Sequence, residues 1–415
     1  MGRNGLTASR TARSRPRSVM SLVEKVEIIQ FNEDEPDFVR DFASEDRAGS
    51  WYYTPGSVGS RGSLMVRVHT ADGLTGEYAY HAAASACAVQ AVDVARILVG
   101  RPWQHRERLF RTARRMARPM HNYGLSFVDN ALWDLAGKAY GASLTELLGG
   151  WRDRVPAYAS TVNGDRAGSL SSSEQVVEFL TELQQAGWTG FKMHSWHEGD
   201  KWEEARNVAR MREVLGERAE LMLDPACVFD SLSDAIFVGK ACQEAGFRWY
   251  EDPLRPIGVG AHQHRQLRDA LDIPLLQTEH VPGPEAKADF LLAGGTDLLR
   301  VDSHYDMGVT GSLTTLKFAQ SLGVNVEVHG PSPVHRHLVA SMQNTSLYEV
   351  ANVSPHHSDP SPHIYTCGYT DDWTGIGEDG TLPVPTGPGI GVGYDHDLIR
   401  KQAVATWVVT ADGVS

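Results

Sequence analysis

The sequence predicts an α/β protein: a barrel of alternating strands and helices with a second, α+β unit in front of it. Three observations carry this. Short apolar runs end in polar residues at a near-constant interval, and Lys192, Asp224, Glu251, Glu279, Asp302, His329 and Glu349 are separated by 32, 27, 28, 23, 27 and 20 residues. One strand, one helix and two loops take about 25 to 30 residues, so this is the interval at which a (β/α)8 barrel brings one functional group to the C-terminal end of each strand. The runs have strand length and are mostly bounded by Gly, Pro or Asp, as expected of parallel strands buried on both faces. Finally, at 415 residues the chain exceeds a lone barrel of about 250 residues.

The first barrel strand is read at residues 155–160. A helical pattern succeeds it, with Ser173 as cap and Gly187 as stop. The next strands are 191–194, 219–224, 247–251, 273–279, 297–302, 324–329 and 346–349. Ahead of the barrel, strand-like stretches at 21–30 and 63–70, the latter followed by a turn at 72–76, precede helical patterns at about 83–99, 105–116 and 126–140. Strands followed by helices read as an α+β domain.

The net charge of -13 argues against a nucleic-acid partner, because phosphate binding needs a basic face and none is visible. Cys87, Cys227, Cys242 and Cys367 lie far apart without CxxC spacing, so neither a zinc site nor a disulfide framework is indicated, and a reducing cytoplasm is the expected location. No run of 18 apolar residues offers a membrane span. Residues 1–20 carry Arg3, Arg10, Arg13, Arg15 and Arg17 with no acid and no apolar core of signal-peptide length. They read as a disordered basic tail, with translation starting at Met20; a nucleic-acid-touching arm or a transit peptide is the alternative.

Asp224, Glu251 and Glu279 end three consecutive strands and should converge on the barrel rim. Acids at strand ends also arise by chance as exposed loop residues, but three in a row followed by Asp302 and His329 outweigh that reading. Unpaired, three buried like charges repel, so convergence calls for a metal, and hard oxygen ligands suit Mg²⁺. Lys192 and His194, two apart on one strand, face the same way. Asp302 beside His329 would fix the imidazole tautomer and raise its basicity. Most of the 17 histidines are expected at the surface or in the core, and strand-end position sets His329 and His194 apart. His335 with His337 and His356 with His357 lack the HExxH pattern and read as loop or packing residues. The glycine run at 386–395 has no following helix and no Gly-Lys-Ser ending, so it reads as structural.

These segments resemble the enolase superfamily in its mandelate racemase-like branch, over about residues 21–400. The likeness is carried by AspAsnAlaLeuTrpAspLeuAlaGlyLysAlaTyrGlyAlaSerLeuThrGluLeuLeuGlyGly (129–150), ThrGlyPheLysMetHis (189–194), TyrGluAspProLeu (250–254), ArgValAspSerHisTyrAspMetGlyValThrGly (300–311), ValGluValHisGly (326–330) and ThrGlyProGlyIleGlyValGlyTyrAsp (386–395). The resemblance implies a modified (β/α)7β barrel at 151–370, a capping domain at 21–150 and a C-terminal segment, 371–415, returning to it.

It also implies abstraction of the proton α to a carboxylate, with Mg²⁺ stabilising the enediolate. Asp224, Glu251 and Glu279 would be the metal ligands and Asp302 with His329 the catalytic dyad, while Lys192 and Glu349 would support the substrate carboxylate. The chain departs from the pattern at His194, which replaces the second lysine of Lys-x-Lys. One-base elimination is therefore favoured over two-base racemisation. His280 could contact a polyol or protonate the departing hydroxide, or turn into packing; Tyr53, Arg61 and His81 could close over the substrate. The expectation is a Mg²⁺-dependent dehydratase of an aldonate or aldarate, with a racemase or epimerase, or a non-catalytic relative, as alternatives. A small-molecule substrate, no nucleic-acid or membrane partner, and a homo-oligomer complete it.

Overall fold

A computed structural model describes residues 20–40, 51–81, 84–118, 122–164, 166, 168, 170–255, 258–359 and 361–415. The arginine-bearing stretch 1–19 lies outside the described residues. The chain opens with strands β1 (Val23–Arg40), β2 (Trp51–Thr70) and β3 (Thr75–His81) and helices α1 (Ala84–Leu98), α2 (Arg106–Ala117), α3 (Tyr123–Tyr140) and α4 (Leu144–Leu148). Next comes the alternation β4 (Arg154–Thr161), α5 (Ser173–Gln185), β5 (Gly190–His194), α6 (Lys201–Leu215), β6 (Glu220–Asp224), α7 (Leu232–Glu244), β7 (Trp249–Glu251), α8 (Ala261–Ala270), β8 (Leu275–Gln277), α9 (Pro284–Leu292), β9 (Leu298–Val301), α10 (Gly308–Ser321), β10 (Val326–Val328), α11 (Pro333–Ser341) and β11 (Tyr348–Val353). The chain ends with β12 (Thr381–Pro383), α12 (His396–Lys401), β13 (Ala403–Thr410) and β14 (Gly413–Val414).

Strands β4 to β11 are parallel neighbours in chain order, and β11 pairs back onto β4 with Tyr348 opposite Ala157, closing an eight-stranded barrel. Helices α5 to α11 connect successive strands, which is the α/β, (β/α)7β architecture the sequence predicts. The N-terminal antiparallel sheet runs β14-β13-β1-β2-β3, with the C-terminal strand β13 paired to β1.

Side-chain periodicity explains both layers. In β1, Val26 and Ile28 are buried while Lys25 and Glu27 lie nearer the surface. In α5, Val176, Val177, Phe179, Leu180 and Leu183 form the buried stripe of an amphipathic helix. Its cap is Ser172, not Ser173: Ser172 is extended (φ -140°, ψ 164°) and accepts from the Gln175 amide. Ser173 is already helical, and its hydroxyl turns to Asn207.

The stretch 129–150 joins the two layers. Asp129 on α3 accepts from the Thr310 amide (2.9 Å) and hydroxyl (2.8 Å) at the start of α10, and Asn130 accepts from the Val309 amide (3.1 Å). One turn on, Asp134 accepts from the Glu77 amide of β3 (2.8 Å) and the Ile390 amide of the glycine run (2.9 Å). Gly389, at φ 77°, brings its backbone so close that an added Cβ would stand 2.2 Å from Asp134 Oδ1. Among the described residues no helix is long and apolar enough to cross a membrane, and all four cysteines are free.

Candidate functional site

The barrel strands are shorter than their apolar runs, which sets the rim. Asp224 and Glu251 end β6 and β7, whereas Glu279 lies beyond β8 because Thr278, at φ 90°, breaks from the strand. Asp302 and His329 likewise directly follow β9 and β10, while Lys192 and Glu349 lie within β5 and β11.

Asp224, Glu251 and Glu279 converge, each offering a carboxylate oxygen within 4.8 Å of the others. Lys192, 1% exposed, places its ammonium 3.0 Å from Asp224, 3.0 Å from Glu251 and 2.8 Å from Glu349. Burial opposes its charge, but Glu251 and Glu349 outweigh it and hold the ammonium well above the ordinary lysine range. Arg300 is a second buried cation, 2.8 Å from Glu251 and 2.6 Å from Glu349, and the sequence reading missed it. Its only signal was a charged residue inside the apolar run LeuLeuArgVal of β9.

These cations do not balance the acids. Asp224, Glu251, Asp252, Glu279, Asp302 and Glu349 are six carboxylates facing two permanent cations, Lys192 and Arg300, an excess of four negative charges when all are ionised. Asp252 is buried with neither carboxylate oxygen hydrogen-bonded. Burial, then Glu279 and Asp224, push the Asp252 carboxyl well above its usual range. Orphaned buried carboxylate oxygens beside a converging triad fit a divalent cation. Asp252, Glu279 and His280 form a second, overlapping group. The all-oxygen set of Asp224, Glu251 and Glu279 is the one that suits Mg²⁺.

His329 and Asp302 are brought together, with His329 Nδ1 2.7 Å from Asp302 Oδ2. A carboxylate can only accept, so Nδ1 carries the proton and Nε2 is left to face the cavity, 3.2 Å from Glu279 Oε1. Burial opposes protonation of this imidazole, but Glu279 and Asp302 lift it to about 9, so Nε2 would be free to take a proton once a cation offsets the charge of Glu279. Asp302 is held far below the ordinary carboxylate range, because His304 and His335 outweigh the effect of burial.

His335 is buried beside the dyad, with its Nε2 accepting from the Ser303 amide at 3.0 Å and lying 3.3 Å from Asp302 Oδ1. Its partner His337 does pack, between Thr145 (2.7 Å) and the Ile390 carbonyl (2.9 Å). His194 lies beside the acids rather than free in the cavity. Its Nδ1 donates to the Thr161 carbonyl (2.7 Å) and its Nε2 is 3.2 Å from Asp224.

A cavity of about 770 Å³ opens above these groups, and His194, Glu279, His280, Asp302, His329 and Glu349 reach its wall. His280 Nε2 stands 3.8 Å from Asp252 and 3.9 Å from Glu279. From the N-terminal sheet, Arg61 and His81 also line the cavity. Arg61 is paired with Glu35 at 2.8 Å, and burial holds the His81 imidazole well below its ordinary range. Tyr53 is not on that wall: its ring stacks on His356 with centroids 3.9 Å apart, which turns it into packing.

Comparison with known proteins accords with this geometry. The family model described as Enolase C-terminal domain-like matches residues 175–398, and that of the mandelate racemase / muconate lactonizing enzyme N-terminal domain matches residues 50–149. D-glucarate dehydratase from Agrobacterium tumefaciens, solved in complex with magnesium, superposes with a TM-score of 0.81 at 28% identity, covering 93% of this chain and 100% of that one. L-talarate/galactarate dehydratase of Salmonella typhimurium is 28% identical over 218 residues, 52% of this chain. D-galactarolactone cycloisomerase of Agrobacterium fabrum is 30% identical over 253 residues, 58% of this chain. The matched stretches span 52% and 64% of those two relatives' own lengths.

Proposed function

The chain belongs to the mandelate racemase / muconate lactonizing enzyme family with an enolase C-terminal domain-like barrel, and from that premise we propose that it is a Mg²⁺-dependent hydro-lyase acting on a sugar acid, an aldonate or aldarate. The observation that carries the reading is the 3.2 Å between His329 Nε2 and Glu279 Oε1. A base aimed at the acid triad is aimed at the α-carbon of any carboxylic acid that a cation on the triad would hold. The dehydratases among its relatives, named for glucarate and for talarate and galactarate, support a polyhydroxy acid as the substrate.

Asp224, Glu251 and Glu279 would hold the ion. Bound there, Mg²⁺ supplies positive charge that lowers the acidity barrier of the α-hydrogen and stabilises the enediolate. His329 takes the α-proton on Nε2 while Asp302 keeps its Nδ1 protonated. The C–H electron pair forms the enediolate, the bond to the 3-hydroxyl breaks, and the hydroxide leaves as water with a proton from His329 or His280. The resulting enol tautomerises to a 2-keto-3-deoxy acid. Glu349, anionic between Lys192 and Arg300, borders the space for the substrate carboxylate.

Racemisation needs a proton carrier on each face of the enediolate. Lys192, held as an ammonium by three carboxylates, is a poor base, and His194 is tethered to Thr161 and Asp224. A single base favours elimination. Incubating 2-epimeric sugar acids with the protein and Mg²⁺ in D₂O should therefore give keto-acid from one epimer and no interconversion. Deuterium in both epimers with no keto-acid released would turn the assignment to an epimerase. Neither exchange nor keto-acid from any acid tried would point to a non-catalytic relative.

A further inference from the structure

The cavity's buried histidines include one that the proposed chemistry leaves without a task. His304, in the loop after β9, lies between the dyad and the N-terminal sheet. Asp302 Oδ2 is taken by His329 Nδ1 at 2.7 Å. Its other oxygen, Oδ1, accepts from the His304 backbone amide at 2.6 Å and lies 2.8 Å from His304 Nδ1. Since the carboxylate can only accept, that nitrogen carries the imidazole proton.

Burial holds this imidazole below its ordinary range and so neutral, which leaves its Nε2 a bare lone pair, 2.5 Å from the hydroxyl of Tyr78 on β3. Tyr78 must donate to it, and the phenol oxygen is left to accept from Ser332 Oγ at 3.1 Å. The protons of Tyr78 and His304 therefore each have one position. The ring of Tyr80, 4.7 Å away and at 14° to the imidazole, fixes its plane.

His335 cannot substitute. The Ser303 amide donates to its Nε2 at 3.0 Å, so its proton sits on Nδ1, 3.1 Å from the Gly330 carbonyl. Neutral His335 turns a lone pair toward Asp302, and His304 is the one side chain of the two that donates to Oδ1. The same assignments leave no ring nitrogen of His304 or His335 free to bind a metal, although these two and Asp302 lie close enough to suggest it.

We infer that His304, held in one tautomer by Tyr78, is a positioning residue for the Asp302–His329 dyad, so that the N-terminal sheet sets the orientation of the barrel's base. The inference rests on reading His329 as that base. A carboxylate fixed on one oxygen presents the other in a single direction, and the imidazole it orients keeps Nε2 aimed at the acid triad.

The test combines spectra with a double-mutant cycle on Mg²⁺-loaded protein. With ¹⁵N-labelled histidine, long-range N–H correlation should show His304 as the neutral Nδ1–H tautomer. Tyr78→Phe should lower kcat on D-glucarate, galactarate or D-gluconate by about tenfold, the loss typical of a partner that orients a working group, with KM nearly unchanged. His304→Asn, which keeps a donor toward Asp302, should retain more activity than His304→Leu. Because Tyr78 acts through His304, adding Tyr78→Phe to His304→Leu should cost nothing further.

An Nε2–H tautomer at His304, multiplicative losses in the double mutant, or a Tyr78→Phe effect on KM alone would overturn the inference. If wild-type protein turns over none of the acids, the proposed function fails, while the tautomer spectra still decide whether His304 is held as inferred.

Discussion

At the residue scale the site is governed by charge, and each replacement has a direction. Replacing His329 by Asn removes the imidazole that Asp302 orients with its Nε2 toward Glu279. Serving as base and as proton donor, it should cost more than the 10² to 10⁴-fold, roughly, of a single general acid-base group; His194→Ala should cost less. α-Proton exchange in D₂O measures both, and near-normal exchange by His329→Asn would move the base to His194 or Lys192. Arg300 tests stability instead. Completely buried against Glu251 and Glu349, it leaves those two carboxylates with Lys192 as their one remaining partner cation when changed to Leu, at a cost of about 3 to 5 kcal/mol in denaturant unfolding. No periodicity in the sequence could assign that role, because it depends on which side chains of β7, β9 and β11 meet inside a closed barrel. The same holds for the orphaned Asp252, which is next to Glu251 in sequence but has no hydrogen bond to either carboxylate oxygen.

At the element scale, what was legible was whatever repeats. Strand after strand ends in a functional group because the fold requires it, and the motif at 129–150 was recognisable because α3 must satisfy β3, α10 and the glycine run at once. Strand ends were overrun where one residue leaves the ladder, as Thr278 does ahead of Glu279. The cap of α5 was misplaced because two serines stand side by side and only backbone angles choose between them. Tyr53 was misjudged because its partner, His356, is remote in sequence. Helix α6 carries a prediction of its own. Glu204, buried on its inner face, is pushed by burial from 4.5 up to about 8. A carboxyl with a raised folded-state pKa stabilises the fold below its unfolded value and loses that contribution as pH rises through the folded one. Stability should therefore fall between pH 4.5 and about 8, and Glu204→Gln should flatten that slope in melting curves taken across the range. An unchanged slope would mean that the carboxyl titrates normally.

For the whole molecule, folding and ion binding draw on one reservoir of charge. The barrel closes only by bringing Asp224, Glu251 and Glu279 within 4.8 Å, and the excess of carboxylates over Lys192 and Arg300 makes that closure costly without a cation. A ligand that binds the folded chain alone stabilises it by RT ln(1 + [L]/Kd), about 2.7 kcal/mol at a hundredfold excess over Kd. The melting temperature should therefore climb with Mg²⁺ and drop on adding chelator. The site also decides which variants respond. Asp224→Asn, Glu251→Gln and Glu279→Gln each remove one ligand charge from the cluster, so the response of the melting temperature to Mg²⁺ should shrink or vanish. Calorimetry with and without Mg²⁺ separates that lost response from simple damage to packing, which would lower both curves together. A melting temperature indifferent to Mg²⁺ in the wild type, or a Glu279→Gln variant that responds as the wild type does, would remove the ion from the acid triad.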